Sequence, residues 1–389
     1  MERKHKTVAN KTMIIFMSIL LSVALMAGCD SDKQKRNADN LKNTSIEITN
    51  EITKETPLTF PKVYEEDVDD TLSFHADIVP PIGLKAENAE IEVTYMVVDF
   101  NTALEELFSD VDNIQKEEII LQPENSLHQS AYGGQDEIMS NNIGMFRMEK
   151  THWAKVKNAI ELSRKDLAYN AELYTKPQQF AFGTAEENWE ALCKTLQKLG
   201  VETELKPTIF YMNYKTLEQE DEKNKNRDDV RSEEKDKIWS EEDNGYYISA
   251  VQCIDGNTVF ANTYYGNGIE GEADTANVLA YIDKSGIQML ELTRIFGQIT
   301  KTDKSWKMLP FEDIVNAVKK RFGLTITGDK VSIREFRFSF MTEAVNDEVY
   351  RLLPVWYCNY EQTGRDGVDT MKQLIIHAAT GEEVIYELY

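Results

Sequence analysis

Tyr246-Tyr247-Ile248-Ser249-Ala250-Val251-Gln252-Cys253-Ile254, then Asp255-Gly256-Asn257, then Thr258-Val259-Phe260-Ala261-Asn262-Thr263-Tyr264-Tyr265, reads as two strands joined by a tight turn. Aromatic and β-branched residues fill both runs, and Asp-Gly suits the positive φ that short hairpin loops demand. The pattern returns downstream, where Val278 to Asp283 and Ile287 to Thr293 flank Lys284-Ser285-Gly286. Phe311, Ile314, Val315, Val318 and Phe322 then fall on one helical face. Acids open that helix, Lys319-Lys320-Arg321 close it and Gly323 follows, in agreement with its dipole and cap. Val331 and Ile333 share one strand parity and Phe336, Phe338 and Phe340 the other, which predicts a bulge near Arg334-Glu335. Strands at about 350–360, 370–378 and 383–388 end the chain, with Pro354 placing the first at an edge or bulge.

The preceding half has fewer strand signals. Leu72, Phe74, Ala76 and Ile78 alternate with polar residues until Pro80-Pro81, and Ile91, Val93, Tyr95 and Val97 mark a second strand. Thr102 and Glu105 form a capping box for a short helix carrying Leu104, Leu107 and Phe108. Residues 123–147, rich in Asn, Ser, Gly and Gln, read as a long loop. A helix bearing Trp153, Val156 and Ile160 follows. A stronger one spans about 185–199, with Thr184 and Glu187 as its capping box and Gly200 at its end. Thr208 to Tyr214 reads as a strand. Glu218 to Asp243 is nearly all charged or amide and reads as a linker, with an acidic docking arm as the alternative. The expected fold class is therefore α+β, in two units of antiparallel sheet with packed helices. Their expected bounds are 57–217 and 244–389, joined by the charged linker 218–243. The order helix, glycine, strand occurs in both, at 185–214 and 311–340.

The amino terminus carries an export signal. Arg3, Lys4, Lys6 and Lys11 precede the uncharged run Met13 to Gly28, and Leu25-Met26-Ala27-Gly28-Cys29 resembles a bacterial lipobox. Residues 1–28 are the expected signal peptide, Cys29 the expected diacylglyceryl acceptor, and residues 29–56 a polar, flexible tether. An uncleaved membrane helix and plain secretion are the alternatives; the apolar run is shorter than the roughly 20 residues that span a bilayer.

Cleavage before Cys29 leaves 39 basic and 66 acidic side chains, a net charge of −27. Such a chain repels nucleic acid, and its body stands off an anionic membrane. Cys193, Cys253 and Cys358 are an odd set; buried free thiols or a Cys253–Cys358 bridge both fit. Gly266-Asn267-Gly268-Ile269-Glu270-Gly271 matches GxGxxG, but it follows a hairpin and carries acids that repel a pyrophosphate, so it reads as a turn. His75, His128, His152 and His377 show no metal-ligand spacing, His75 lying on a polar strand face and His128 in a loop. No GxSxG or Walker pattern occurs, and no catalytic, cofactor or metal residue is assigned. Aromatics such as Tyr264, Trp306 and Trp356 read mainly as core, with ligand stacking the alternative.

The lipobox at Cys29, Asp283-Lys284-Ser285-Gly286-Ile287, Leu309-Pro310-Phe311-Glu312-Asp313-Ile314, Leu353-Pro354-Val355-Trp356-Tyr357 and Ala379-Thr380-Gly381-Glu382-Glu383-Val384 together resemble a group of uncharacterised lipoproteins from clostridia and related Firmicutes. The strand ends around Pro354 and Thr380 also resemble PepSY-like extracytoplasmic regulatory modules. That resemblance implies a noncatalytic module on the outer face of a Gram-positive cytoplasmic membrane, binding or regulating another envelope component, with the membrane reached through the lipid at Cys29. A ligand-binding lipoprotein of a transporter and an envelope hydrolase are the alternatives.

Overall fold

The Asp255-Gly256 turn forms as its chemistry requires, with φ of 49° and 78° and Ile254 opposite Asn257. In the computed structural model, which describes residues 58–121, 126–160, 170–224, 237–264, 269–270, 276–323 and 329–385, this turn joins two limbs of one mixed sheet. The strand before it, β9 (Gly245–Ile254), lies between β8 (Glu204–Met212) and β12 (Val278–Asp283), antiparallel to both. The first limb continues from β12 through β13 (Gly286–Thr293), β7 (Met145–Glu149), β6 (Asp136–Asn141) and β5 (Ser126–Gly133) to β4 (Gln115–Leu121).

The strand after the turn, β10 (Asn257–Tyr264), enters the second limb parallel to β15 (Lys330–Ala344) and pairs with β11 (Ile269–Glu270). β15 pairs with β16 (Tyr350–Thr363) along fourteen positions. The other flank of β15 is shared: β2 (Leu72–Val79) runs parallel to it at Val331–Arg337, and β10 at Phe340–Glu343. β1 (Val63–Asp67) pairs with β2. The outer flank of β16 is shared too, by β17 (Asp369–His377) from Val355 to Thr363 and by β3 (Glu87–Tyr95) at Tyr350 and Arg351. β3 in turn pairs with β14 (Phe296–Lys307).

Seventeen strands stand against five α-helices among the described residues: α1 (Phe100–Leu107), α2 (Thr151–Val156), α3 (Ala185–Lys198), α4 (Tyr214–Asn224) and α5 (Phe311–Gly323). None is long and apolar enough to cross a membrane. This corrects the α+β expectation: the molecule is a sheet-rich fold built on one large mixed sheet. The division into 57–217 and 244–389 is corrected with it. β7 pairs with β13, β8 with β9, β3 with β14 and β2 with β15, each across the charged segment, and the described residues all belong to one unit. Pairing between distant strands follows from shared burial, which local periodicity does not encode.

Three local readings are also corrected. Residues 126–149 form β5, β6 and β7 where a loop was expected; Ala131, Ile138, Phe146 and Met148 supply one buried position every few residues, and Gly134 and Gly144 turn at positive φ. α1 is capped by Asp99, whose side chain accepts the Thr102 N–H at 2.8 Å, and not by Thr102. The charged segment is not a free linker at its described ends: α4 covers its start, and Glu220, Asp221, Trp239 and Asp243 are buried. Its centre lies outside the described residues, as do the signal peptide, Cys29, the tether to residue 57 and most of the 266–271 glycine stretch.

Other local expectations correspond to what forms. The Thr184–Glu187 capping box makes both of its bonds at 3.1 and 2.8 Å, and Gly200 ends α3 at φ 91°. The register of β15 slips between Ile333 and Glu335, which brings Ile333 and Phe336 into one core. Cys193, Cys253 and Cys358 are free thiols. Leu192, Leu196 and Leu199 share a core with Ile248, Val278 and Leu290 of the first limb. Phe311, Ile314, Val315 and Val318 of α5 do the same with Phe74, Phe336 and Trp356 of the second.

Trp356 is 0% exposed, with Phe60, Phe311 and Phe338 ring centroids at 5.6, 5.3 and 5.8 Å. Its indole Nε1 has no acceptor among the described residues. Trp356→Ala should therefore lower the unfolding free energy by about 3–5 kcal/mol through the cavity it leaves. Trp356→Phe keeps an aromatic ring and forfeits no hydrogen bond, so it should cost less than about 2 kcal/mol. Denaturant unfolding of both variants checks this; an alanine variant as stable as wild type would take Trp356 out of the core.

Candidate binding cleft

The four histidines expected in the mature chain have four different fates. His75 lies on the exposed side of β2, 2.8 Å from Glu65 Oε2, a surface pair of little energetic weight. His128 lies in β5, where its Nε2 is 3.1 Å from Ser126 Oγ. His152 opens α2 and has both ring nitrogens occupied: Nδ1 by Asp283 and Nε2 by Asp243 Oδ1 at 2.9 Å. Those two carboxylates are 0% and 2% exposed, against 26% for the imidazole.

The His152 cluster is closed. Asp243 also receives Lys155 Nζ and the Ser240 N–H at 2.8 Å, and Asp283 Oδ1 receives the Ser285 N–H at 2.7 Å. The hydrogen bond to Asp283 raises the His152 pKa above the ordinary histidine value against the effect of burial, and that to Asp243 adds to it. Burial works against the Asp243 charge, but hydrogen bonds from Lys155, His152 and Ser240 outweigh it and hold that carboxyl low. An imidazole with both nitrogens engaged has no lone pair left to take a substrate proton. It acts as a clamp joining α2, β12 and the turn Glu241–Asp243. Lys155 extends the clamp, donating to Ile238 O at 2.8 Å with its ammonium 5.1 Å from the Trp239 ring centroid. Trp239 Nε1 donates to Asp221 Oδ2 at 3.0 Å. These contacts are why the ends of the charged segment are packed.

His377 occupies the other kind of setting. It ends β17, where β16 exchanges one neighbour for another. β3 leaves β16 at Arg351 and β17 joins it at Val355, so the sheet forks over Leu352-Leu353-Pro354. Pro354 therefore sits in a central strand in unbroken register with Phe340, at neither the edge nor the bulge expected for it. Its carbonyl accepts the Ala378 N–H at 2.8 Å, so its missing N–H also faces the fork, where no ladder bond is lost.

A cleft of about 450 Å³ fills this fork, a volume within the range of small-molecule sites. Its polar wall is a cross-strand ion pair. Arg351 and Glu343 are register partners, and the guanidinium donates to Glu343 Oε2 through Nη2 and through Nε at 2.9 Å. Glu90 of β3 adds a second carboxylate: its Oε2 is 3.5 Å from Arg351 Nη1, shielded from solvent and without a hydrogen bond among the described residues. His377 Nδ1 accepts the Ala379 and Thr380 N–H groups at 3.0 and 3.2 Å, which leaves the ring proton on Nε2. Burial lowers its pKa, keeping the ring neutral. Tyr264 and Trp306 line the cleft with Leu353, Pro354 and Val384. Leu353 and Val384 belong to a small buried apolar cluster with Met341, Val355 and Tyr357.

Several residues named from sequence thus come together: Leu353-Pro354, the Ala379 to Val384 turn, His377, Trp306 and Tyr264. Arg351, Glu343 and Glu90 carry no local sequence signal, since Glu90 meets its ion-pair partner Arg351 only across distant strands. Among the described residues, no three His, Cys, Asp or Glu side chains are placed to hold a metal ion. Cys29 lies outside the described residues.

No known protein family matches the chain, and no curated protein does. Among solved structures, the chain is similar to an uncharacterised protein from Eubacterium rectale, with a TM-score of 0.59 and 17% identity. The match covers 85% of this chain and 94% of that one, and it shows a shared fold.

The His152 clamp predicts a pH dependence. An unfolded histidine titrates near about 6.5, whereas the folded one titrates higher. Stability from the clamp is fully present below the unfolded value and is lost as pH rises through the raised folded value. Unfolding free energies measured from about pH 5.5 to 9 should fall across that window in wild type and stay flatter in His152→Ala. At the acid end that variant should be less stable by about 3–5 kcal/mol, because it leaves Asp283 buried without its counter-charge. Parallel pH profiles for the two proteins would sink the clamp.

Proposed function

We propose that this chain is a lipid-anchored, noncatalytic binding protein on the outer face of a cytoplasmic membrane, and that the fork between β3 and β17 is its recognition site. One observation carries the reading. The ionisable groups of the cleft are tied to one another and not poised for proton transfer: Arg351 holds Glu343 and Glu90, and His377 spends its lone pair on two backbone amides. A fixed array of donors and acceptors over an apolar floor recognises a ligand by shape and hydrogen bonding. The lipobox at Cys29, and a net charge of −27 that keeps the body off anionic lipid, support the location. The partner is another component of the cell envelope.

Cys29→Ala should abolish palmitate labelling and shift the protein from the detergent phase to the aqueous phase. Labelling at the wild-type level would end the anchor reading. For the body, wild-type protein should turn over no peptidoglycan, ester or peptide substrate, while a pull-down from native membranes retains an envelope component that Arg351→Gln releases. Turnover abolished by a single substitution at His377, Glu343 or Glu90 would replace binding with hydrolysis.

A further inference from the structure

Resting on the reading of the fork as a recognition site, we propose that its ligand is an uncharged, hydroxyl-rich molecule, a saccharide unit of an envelope glycan. The first ground is the alternation of donors and acceptors on one wall. Arg351 has five N–H donors and spends two on Glu343. His377 presents Nε2–H, because Nδ1 is occupied. Beside these donors stand the carboxylates of Glu343 and Glu90; Glu90 Oε2 is sheltered from water, 3.5 Å from Arg351 Nη1 and without a hydrogen bond among the described residues. A sheltered acceptor without a donor costs free energy that a ligand hydroxyl recovers. Each hydroxyl both donates and accepts, so neighbouring hydroxyls can bridge a guanidinium and a carboxylate held side by side.

The second ground is charge. The cleft is lined by Arg351 on one hand and by Glu343, Glu90, Glu382 and Glu383 on the other, an acidic excess that disfavours phosphate and carboxylate ligands. A cationic ligand would lie beside the Arg351 guanidinium and the His377 Nε2–H, one a like charge and the other a donor with no lone pair to offer it. A neutral polyol meets neither obstacle. The third ground is the lining: Trp306 is half-buried and Tyr264 stands with it around the same opening, so flat aromatic surface is available to the C–H face of a sugar ring.

The test uses the full chain purified from membranes in detergent. Titrations with maltotriose, cellotriose and triacetylchitotriose, followed by an array of soluble neutral and N-acetylated oligosaccharides, read saccharide binding; spermidine and glycerol phosphate are the cationic and anionic probes. Saturable binding of at least one saccharide is expected. Trp306→Ala and Arg351→Gln should each weaken it about tenfold or more, Trp306→Phe by less than about threefold, and the remote His75→Gln not at all. Unfolding midpoints for each variant separate loss of binding from loss of fold. Absence of saccharide binding, saccharide binding that both cleft variants leave unchanged, or saturable spermidine or glycerol phosphate binding in its place overturns the proposal. Retention of an envelope protein that Arg351→Gln releases, with no saccharide bound, overturns the glycan while leaving the recognition site standing.

Discussion

Two long strands set the terms for the second limb. β15 and β16 are 15 and 14 residues long and pair along almost their whole length, a ribbon of roughly 50 Å. Such a ribbon twists steadily, and no strand of eight or nine residues can follow it end to end. Each flank is therefore covered by two short strands in tandem, β2 and β10 on one side, β17 and β3 on the other. Tandem coverage leaves a junction wherever one neighbour ends and the next begins. The cleft is the junction on the β16 flank. Its position follows from where β3 stops pairing, and Pro354 is tolerated there because no strand asks for its N–H.

The crossing between limbs carries a similar constraint. A hairpin that passes from one limb of a sheet to the other leaves backbone groups that must be paired elsewhere. Side-chain amides do that here. Gln252 is 0% exposed, donates to Arg294 O at 2.9 Å and accepts the Phe296 N–H at 3.1 Å. Asn257 accepts the Ile82 N–H at 2.8 Å and donates to Ile82 O at 2.9 Å. These polar residues sit in strands that read as hydrophobic runs, and they hold the hairpin that passes from limb to limb.

His152 and His377 show how surroundings assign opposite tasks to one residue type. Two buried carboxylates bind both nitrogens of His152, and the raised pKa belongs to a structural ion cluster. Two backbone amides take one nitrogen of His377, burial keeps the ring neutral, and the remaining N–H is left beside a cleft. The raised pKa of His152 belongs to a closed ion cluster and the lowered one of His377 to the wall of a cleft, so a shifted histidine alone does not locate a site.

What the sequence determined by itself is local. Asp255-Gly256 turns because those two residues accept positive φ, Thr184 and Glu187 cap α3 because they stand three apart, and the parity change from Ile333 to Phe336 requires the bulge that β15 shows. Trp356 in an apolar run ended buried. The tertiary structure alone decided which strands are neighbours. Residues 126–149 carry too few β-branched residues to announce three strands, and they become strands through pairing with one another and with β13. His152 finds Asp243 and Asp283 at 91 and 131 residues' distance, and the charged segment packs because those partners close over it. Arg351 meets Glu90 only because β3 borders β16 for two residues. Local propensity acts over a turn or a strand period, whereas register between distant strands depends on which faces must be buried together, and that choice is made by the folded chain as a whole.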